Sequence, residues 1–138
     1  FKDYADPTHV QLNPDKVKQA KQTSLMPDLP LDAHSVPLGL LFHSGKNIDD
    51  KYKDGAFVVR RGGVSTSKLT GYDVLFIPFI EGKPSGIIET FLSGFIASEE
   101  SGEIFGRPVG IAETNNGEIV ITDDVGGRLL VISSTEKE

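Results

Sequence analysis

The sequence has no cysteine, no tryptophan and only one methionine among its 138 residues. Without cysteine, the protein has no disulfide framework, no thiol nucleophile and no zinc site built on sulfur ligands. It also has no apolar run near the roughly 18 to 20 residues that a membrane-spanning helix needs, because Pro78 interrupts the longest such stretch, residues 74–80. The sequence therefore predicts neither a disulfide-stabilised small domain nor a membrane span.

Clustered positive charge is also missing. The formal net charge is −6, from 14 lysines and arginines against 20 aspartates and glutamates, and the lysines are scattered along the chain. Affinity for nucleic acid depends on clustered cationic side chains that neutralise phosphates. We therefore expect no nucleic-acid partner.

A five-residue motif occurs twice, 71 residues apart. Residues 36–40 read Val-Pro-Leu-Gly-Leu, and residues 107–111 read Arg-Pro-Val-Gly-Ile. After each copy comes an apolar run that opens at a glycine, Gly55 or Gly117, and then a polar turn and a second apolar run. Short strands repeated at such a period are typical of β-propellers.

Seven runs rich in valine, isoleucine, leucine and phenylalanine, separated by glycine, asparagine, aspartate and proline, predict strands and almost no helix. They lie at residues 38–43, 56–60, 73–79, 87–92, 109–113, 118–122 and 129–133. We predict an all-β fold with two antiparallel blades of the four-stranded propeller type, four strands being visible in the first copy and three in the second. The blades span residues 36–92 and 107–133, within a propeller region 36–133, and Gly39 and Gly55 should superpose on Gly110 and Gly117.

An irregular, proline-rich arm precedes the blades at residues 1–33, where only residues 16–21 could form a helical turn. Two blades cannot close a ring, since a propeller needs at least about four. With a first residue that is not methionine, this predicts a C-terminal fragment of a longer protein. Open sheet edges promote association, so we expect them to be covered by a second copy, giving a homo-oligomer, or by the arm.

Charged side chains gather on one predicted rim of the blades, because successive turns of an antiparallel meander alternate between two sides of the sheet. This rim holds His34, Arg60, Arg61, Arg107, Asp123 and Asp124. Arginine grips carboxylate or phosphate with two parallel hydrogen bonds, so the rim predicts a site for a small anionic ligand or cofactor. The alternative is that Arg107 pairs with Asp123 or Asp124 and only joins adjacent strands.

The other polar residues give weaker signals. His34 is either a proton-transfer group or a structural residue ahead of a strand, and we interpret His9 and His43 as structural. Acidic residues at 49–50 and 99–103 could bind calcium, but they match no calcium-loop pattern and a solvated charge run is the simpler interpretation. Serines in the turn 64–67 lack a nucleophile-elbow motif. On the opposite rim, residues 46–54 and 115–116 are expected to be ordinary solvated turns.

Taken in order, several motifs resemble the C-terminal part of the glucose/sorbosone dehydrogenase family. The resemblance extends over about residues 30–133, and its motifs are Asp-Ala-His-Ser-Val-Pro-Leu-Gly-Leu at 32–40, Gly-Ala-Phe-Val at 55–58, Gly-Tyr-Asp-Val at 71–74, Ile-Pro-Phe at 77–79, Phe-Leu-Ser-Gly-Phe at 91–95, Gly-Arg-Pro-Val-Gly at 106–110 and Thr-Asp-Asp at 122–124. It implies a six-bladed propeller, periplasmic or secreted, that oxidises sugars or sugar aldehydes with pyrroloquinoline quinone (PQQ) and calcium.

The same resemblance implies that Arg107 binds a carboxylate of PQQ and that His34, Arg60 and Arg61 line the same pocket. It assigns no catalytic residue and no metal ligand to this chain, because the family's histidine base belongs to earlier blades. One departure is the sequence Arg-Gly-Gly-Val-Ser-Thr at 61–66, where sorbosone-type relatives typically have His-Gly-Ser-Trp-Asn-Arg. We expect the chain alone not to turn over a sugar substrate. The alternative function is a non-catalytic binding or scaffold module derived from a propeller.

Overall fold

The computed structural model describes residues 13–63 and 68–134. The chain divides into two compact units, Phe1–Pro30 and Leu31–Glu138. In the first unit, helix α1 (Pro14–Thr23) has a proline at its start, Asp15 in its first turn and Lys21 in its last. The proline suits the first turn, where its missing N–H leaves no hydrogen bond unmade. The charges of Asp15 and Lys21 are favourable at the two ends of the helix dipole. The helix is longer by two residues at each end than the predicted turn at 16–21, and none of its residues is buried.

The second unit is built from strands, which confirms the predicted all-β class. In the described residues the strands are β1 (Pro37–Phe42), β2 (Gly55–Arg60), β3 (Asp73–Ile80), β4 (Lys83–Pro84), β5 (Glu89–Leu92), β6 (Ile96–Ser98), β7 (Glu103–Ile104), β8 (Pro108–Glu113), β9 (Ile119–Asp123) and β10 (Arg128–Ile132). A single 3₁₀ turn, Asp50–Tyr52, precedes β2. No helix in the described residues is long and apolar enough to cross a membrane.

All strand pairs are antiparallel, and they form two main sheets. In the first sheet β2 lies between β1 and β3, and β3 pairs with β5 near its start and with the short β4 at its end. The second sheet has the order β8-β9-β10, with three strands in the described part of the chain. A small hairpin, β6-β7, lies between the two sheets in sequence. The first sheet therefore has five strands where four were predicted, because the short β4 was not predicted. The three strands of the second sheet agree with the prediction, and the β6-β7 hairpin was not predicted.

The ladders show how the two repeats correspond. Pro37 pairs with Arg60 and Pro108 with Asp123, and in both repeats the register shifts immediately after the proline. Gly39 and Gly110 lie in these two irregular segments, as the repeat predicted. The same ladders align Gly55 with Glu118, so the prediction for Gly117 is wrong by one residue. Gly55 is a strand residue, whereas Gly117 lies in a turn with φ +86°.

Arg60 and Asp123 therefore occupy the same ladder position with opposite charges. Arg60 faces Asp73 across β2 and β3, and Asp123 faces Arg128 across β9 and β10. Arg60 donates two hydrogen bonds to Asp73, at 2.7 and 2.6 Å. Arg128 donates from Nε to Asp123 at 2.9 Å. An ion pair thus lies at the same end of both ladders. The middle strand carries the arginine in the first sheet and the aspartate in the second.

The hydrophobic core lies between the two sheets. One face of the first sheet meets one face of the second, with Phe57, Val59, Val74, Phe76, Ile119 and Ile121 buried between them. Full burial of such side chains is worth about 1.5–3 kcal/mol each. Gly39 allows β1 and β8 to approach closely, since a Cβ there would lie 3.1 Å from both Ile111 Cγ2 and Val109 O. This packing sets the turns of the two sheets side by side on each rim.

The outer faces of the two sheets carry exposed apolar side chains. Alternate residues of β1 and of β10 are more than half exposed; they are Leu38, Leu40, Phe42, Leu129 and Val131. Alternation of this kind marks one face of a strand. Covering of these faces by a second copy or by the arm remains a prediction.

Candidate functional site

Two arginines from different sheets share one carboxylate on the predicted rim. Arg107 immediately precedes β8, and its Nε donates to Asp124 Oδ1 at 2.6 Å. Arg61 directly follows β2, and its Nε lies 3.5 Å from Asp124 Oδ2. Asp124 belongs to the turn between β9 and β10. The cluster therefore carries two positive charges and one negative charge, a net charge of +1.

The cluster is electrostatically coupled and open to solvent. The hydrogen bond from Arg107 holds the pKa of Asp124 below its usual range, and Asp124 in turn raises the pKa of Arg107. The Asp124 side chain is 37% exposed and those of Arg61 and Arg107 are 29% and 23% exposed. A guanidinium has five N–H donors. Among the described residues, Arg107 hydrogen-bonds to Asp124 through Nε, and the shortest contact of Arg61 with Asp124 is at Nε as well. The terminal nitrogens of both arginines are therefore the donors to consider for a ligand.

Asp123 anchors the backbone beneath this cluster. Its buried carboxylate accepts hydrogen bonds from the backbone N–H groups of Arg107 and Gly126, both at 2.8 Å, and from Arg128. Burial alone would raise the pKa of Asp123, but the backbone donors and Arg128 together lower it. The Asp124 N–H also donates to the Arg107 carbonyl at 3.1 Å. The turn that carries Asp124 is therefore fixed to the residue that carries the Arg107 side chain.

Arg60 does not join the cluster, although it is adjacent to Arg61 in sequence. It is buried, and it donates to Asp32 at 2.8 Å as well as to Asp73. Through these two carboxylates, Arg60 at the end of β2 is joined to the segment before β1 and to the start of β3. The structure thus places Arg60 in an internal ion-pair network instead of the open rim.

His34 reaches the rim through its backbone. Residues 34–36 lie against residues 61–63, where the N–H groups of Arg61 and Gly62 donate to the carbonyls of Val36 and Ser35, each at 2.9 Å. The His34 side chain is exposed and, among the described residues, has no hydrogen bond. His34 is therefore beside the arginines, on the loop that fixes the position of Arg61.

Strained backbone surrounds Arg61. His34, Val36 and Tyr72 have φ values of +62°, +50° and +63°, in a region that residues other than glycine seldom adopt. The buried ring of Tyr72 covers Gly62, where a Cβ would lie 2.2 Å from the ring. Such strain persists only where the surrounding structure enforces it, and it is often found at functional sites.

The other candidate residues lie outside this cluster. Asp49 caps the 3₁₀ turn by accepting the Lys51 N–H at 3.0 Å, and Asp50 pairs with Lys53 on the surface. Glu99 and Glu100 lie in the β6-β7 turn. No group of three histidines or carboxylates in residues 13–63 and 68–134 is placed to hold a metal ion. His9 and the turn 64–67, which includes half of the hairpin 61–66 that departs from the family, lie outside the described residues.

On the opposite rim, residues 46–54 and 115–116 are mostly exposed turn residues, as predicted, but the residues beside them join the two sheets. His43 is buried, and its Nε2 lies 2.9 Å from the carbonyl oxygen of Gly117 in the other sheet. Ser44 donates its N–H, at 2.9 Å, and its hydroxyl to Glu113, and these hydrogen bonds lower the pKa of Glu113. Asn47 donates to the Asn116 carbonyl at 2.9 Å. The structural role predicted for His43 is confirmed, but its interaction with the second sheet was missed.

A small apolar cavity also opens on the opposite rim. Its volume is about 150 Å³, and it is lined chiefly by Ile48, Tyr52, Phe91, Ile119 and Ile132. It contains no arginine or lysine, so it does not offer the cationic partners that an anion requires. The two-arginine cluster is the better candidate for a site that binds an anion.

The comparisons with known proteins agree with this architecture. The sequence profile of the TrAA12-like family matches residues 6–135. The chain belongs to the TrAA12-like family. A Borreliella burgdorferi protein described as uncharacterized is 32% identical over 114 residues, which cover 81% of this TrAA12-like chain and 30% of that protein.

Two solved structures show the fold of this TrAA12-like chain. The iodide structure of the Trichoderma reesei Carbohydrate-Active Enzymes Family AA12 protein matches with a TM-score of 0.69 and 18% identity, over 85% of this chain and 29% of that one. The holo form of the pyranose dehydrogenase PQQ domain from Coprinopsis cinerea matches with a TM-score of 0.67 and 18% identity, over 85% and 31%. The predicted fold family is confirmed. The chain spans less than a third of the length of these relatives.

Proposed function

We propose that this chain is the C-terminal fragment of a PQQ-dependent sugar dehydrogenase of the sorbosone or glucose type, and that Arg61 and Arg107 contribute to the cofactor pocket. The observation that carries the proposal is that these two arginines, from two different sheets, both contact the partly exposed carboxylate of Asp124. The likeness of the fold to the Coprinopsis cinerea PQQ domain supports the class of cofactor.

The residues present fit a polycarboxylate. PQQ carries three carboxylates, and the cluster of Arg61, Arg107 and Asp124 has one positive charge in excess. The arginine terminal nitrogens form a fork that matches a carboxylate. His34 would border the pocket from its exposed loop, whereas Arg60 would act indirectly by fixing the strand that precedes Arg61.

When bound, PQQ would accept a hydride from the carbon that bears the sugar hydroxyl. The part assigned to this chain is to hold and orient the cofactor, and no proton-transfer residue is assigned to it. Residues 13–63 and 68–134 bring together no group of three histidine or carboxylate side chains, so any calcium would need further ligands from outside these ranges or from backbone carbonyls. A periplasmic or secreted location belongs to the same proposal, as does a sugar or sugar-aldehyde substrate.

The test is a calorimetric titration of the 138-residue chain with PQQ. We expect saturable binding that Arg107→Lys weakens by about 1.5–3 kcal/mol, the value of a hydrogen bond to a charged group. The matched control is Arg128→Lys, which alters the ion pair with Asp123 and should lower stability more than affinity. Absence of PQQ binding would favour the non-catalytic module. Equal binding by Arg107→Lys and wild type would instead show that Arg107 is only a structural partner of Asp124.

A further inference from the structure

We propose that Asp124 is a positioning residue that orients Arg61 and Arg107 so that their terminal nitrogens present to an anionic ligand. This inference rests on the proposed function and deepens it. It also joins two interpretations that the sequence left as alternatives, a structural ion pair at Arg107 and a ligand-binding role for the same residue.

The atoms in contact support a positioning role. Asp124 Oδ1 accepts from Nε of Arg107 and Oδ2 lies beside Nε of Arg61. Nε is the nitrogen closest to the aliphatic stem, and the two terminal nitrogens form the opposite end of the planar group. A carboxylate held at Nε therefore fixes the plane of the guanidinium and leaves its terminal edge for another carboxylate.

Asp124 is itself held in place, as a positioning residue must be. Its N–H is bound to the Arg107 carbonyl, and its neighbour Asp123 is buried with three hydrogen-bond donors. The Asp124 carboxylate thus extends from an immobilised turn. Because it contacts one arginine of each sheet, it also sets the distance between the two guanidinium groups.

The opposite mechanism is that Asp124 competes with the ligand for the two arginines. Competition and positioning predict effects of opposite sign when the carboxylate is removed. Both arginines make their shortest contact with Asp124 at Nε, whereas a ligand carboxylate would be gripped by the terminal nitrogens, and this favours positioning.

The experiment compares the wild-type chain with Asp124→Ala, Asp124→Asn and the control Asp50→Ala, which removes a surface carboxylate on the opposite rim. The probes are PQQ and benzene-1,3,5-tricarboxylate, and denaturant unfolding of each variant verifies that it is folded. We expect Asp124→Ala to weaken binding of both probes at least about tenfold, with Asp50→Ala unchanged. In ligand-free protein, the Nε hydrogens of Arg61 and Arg107 should exchange with water faster in Asp124→Ala than in wild type. Their ¹⁵N–¹H NMR signals report this exchange.

Each outcome decides one of the two proposals. Tighter or equal binding by folded Asp124→Ala and Asp124→Asn overturns the positioning role while leaving the PQQ function in place. Binding of the tricarboxylate but not of PQQ by wild type overturns the proposed cofactor, and the Asp124 variants are then judged with the tricarboxylate. If wild type binds neither probe, both proposals are overturned.

Discussion

The Nε2–H of His43 donates to the carbonyl oxygen of Gly117 across the interface between the two sheets, at 2.9 Å. The second ring nitrogen, Nδ1, accepts the N–H of Gly45 at 3.0 Å. Both contacts are satisfied when the neutral ring carries its proton on Nε2. This buried imidazole thus joins the first sheet to the turn that begins β9.

Replacing His43 by alanine should lower the free energy of unfolding by about 1–3 kcal/mol or more, because the buried Gly117 carbonyl loses its donor. Loss of the ring contact with Phe57 adds to this cost. The control is His34→Ala, whose exposed side chain should change stability by less than about 0.5 kcal/mol. Urea unfolding measures both variants, and equal stabilities would contradict the role given to His43.

Glu113 should contribute to stability in a pH-dependent way. Its pKa is lowered in the folded protein by the Ser44 hydroxyl and N–H. A depressed pKa stabilises the fold at pH values above the unfolded-state pKa, near 4.5, and this contribution is lost as pH falls through the folded-state pKa. Wild type should therefore lose stability below that range more steeply than Glu113→Gln. Parallel stability curves from pH 7 to pH 3 would be the contrary result.

The strands could be predicted from the sequence because their information is local. β-branched and aromatic runs mark β2 and β9, and the Pro-x-Gly motif marks Gly39 and Gly110. The alignment of Gly55 with Gly117 was wrong because a strand glycine and a turn glycine look alike in sequence. The ladder, which pairs Gly55 with Pro78, and the positive φ of Gly117 distinguish them.

The candidate site was only partly predictable, since its partners are distant in sequence. Counting turns placed Arg61 and Arg107 on one rim, but it placed Arg60 there as well. Neighbouring strand residues point in opposite directions, and Arg60 turns to Asp73 and Asp32. On the other rim, the acceptor of the His43 hydrogen bond is a backbone carbonyl, and a carbonyl has no sequence signature.

The ring of Tyr72 should make Gly62 intolerant of any side chain. In Gly62→Ala the new Cβ would lie 2.2 Å from the ring, at a φ of +87°. The control is Gly82→Ala, which has a similar φ of +76° and no atom within 4 Å of the new Cβ. We expect about 1–2 kcal/mol of destabilisation in Gly82→Ala, from backbone strain alone, and clearly more in Gly62→Ala. Thermal unfolding would contradict this account if the two variants lost the same stability.

Exchanging the charges of the buried pair in the first sheet tests its contribution. Arg60→Asp alone should cost about 3–5 kcal/mol, because it leaves uncompensated carboxylates together. The double variant Arg60→Asp with Asp73→Arg should recover part of the loss, but not all, since Asp32 would then face an aspartate. A double-mutant cycle from denaturant unfolding gives the coupling energy. Additive effects of the two changes would show that the pair is not coupled.

The reversed polarity of the Arg60–Asp73 and Asp123–Arg128 pairs bears on how the chain folds. Two homologous repeats invite hybrid ladders, in which a strand of one repeat pairs with the matching neighbour from the other. If β2 paired with β10, Arg60 would lie opposite Arg128, and if β9 paired with β3, Asp123 would lie opposite Asp73. Like charges opposite each other disfavour both ladders. Each repeat is thereby directed to its own hairpin, and the two sheets can form side by side without exchanging strands.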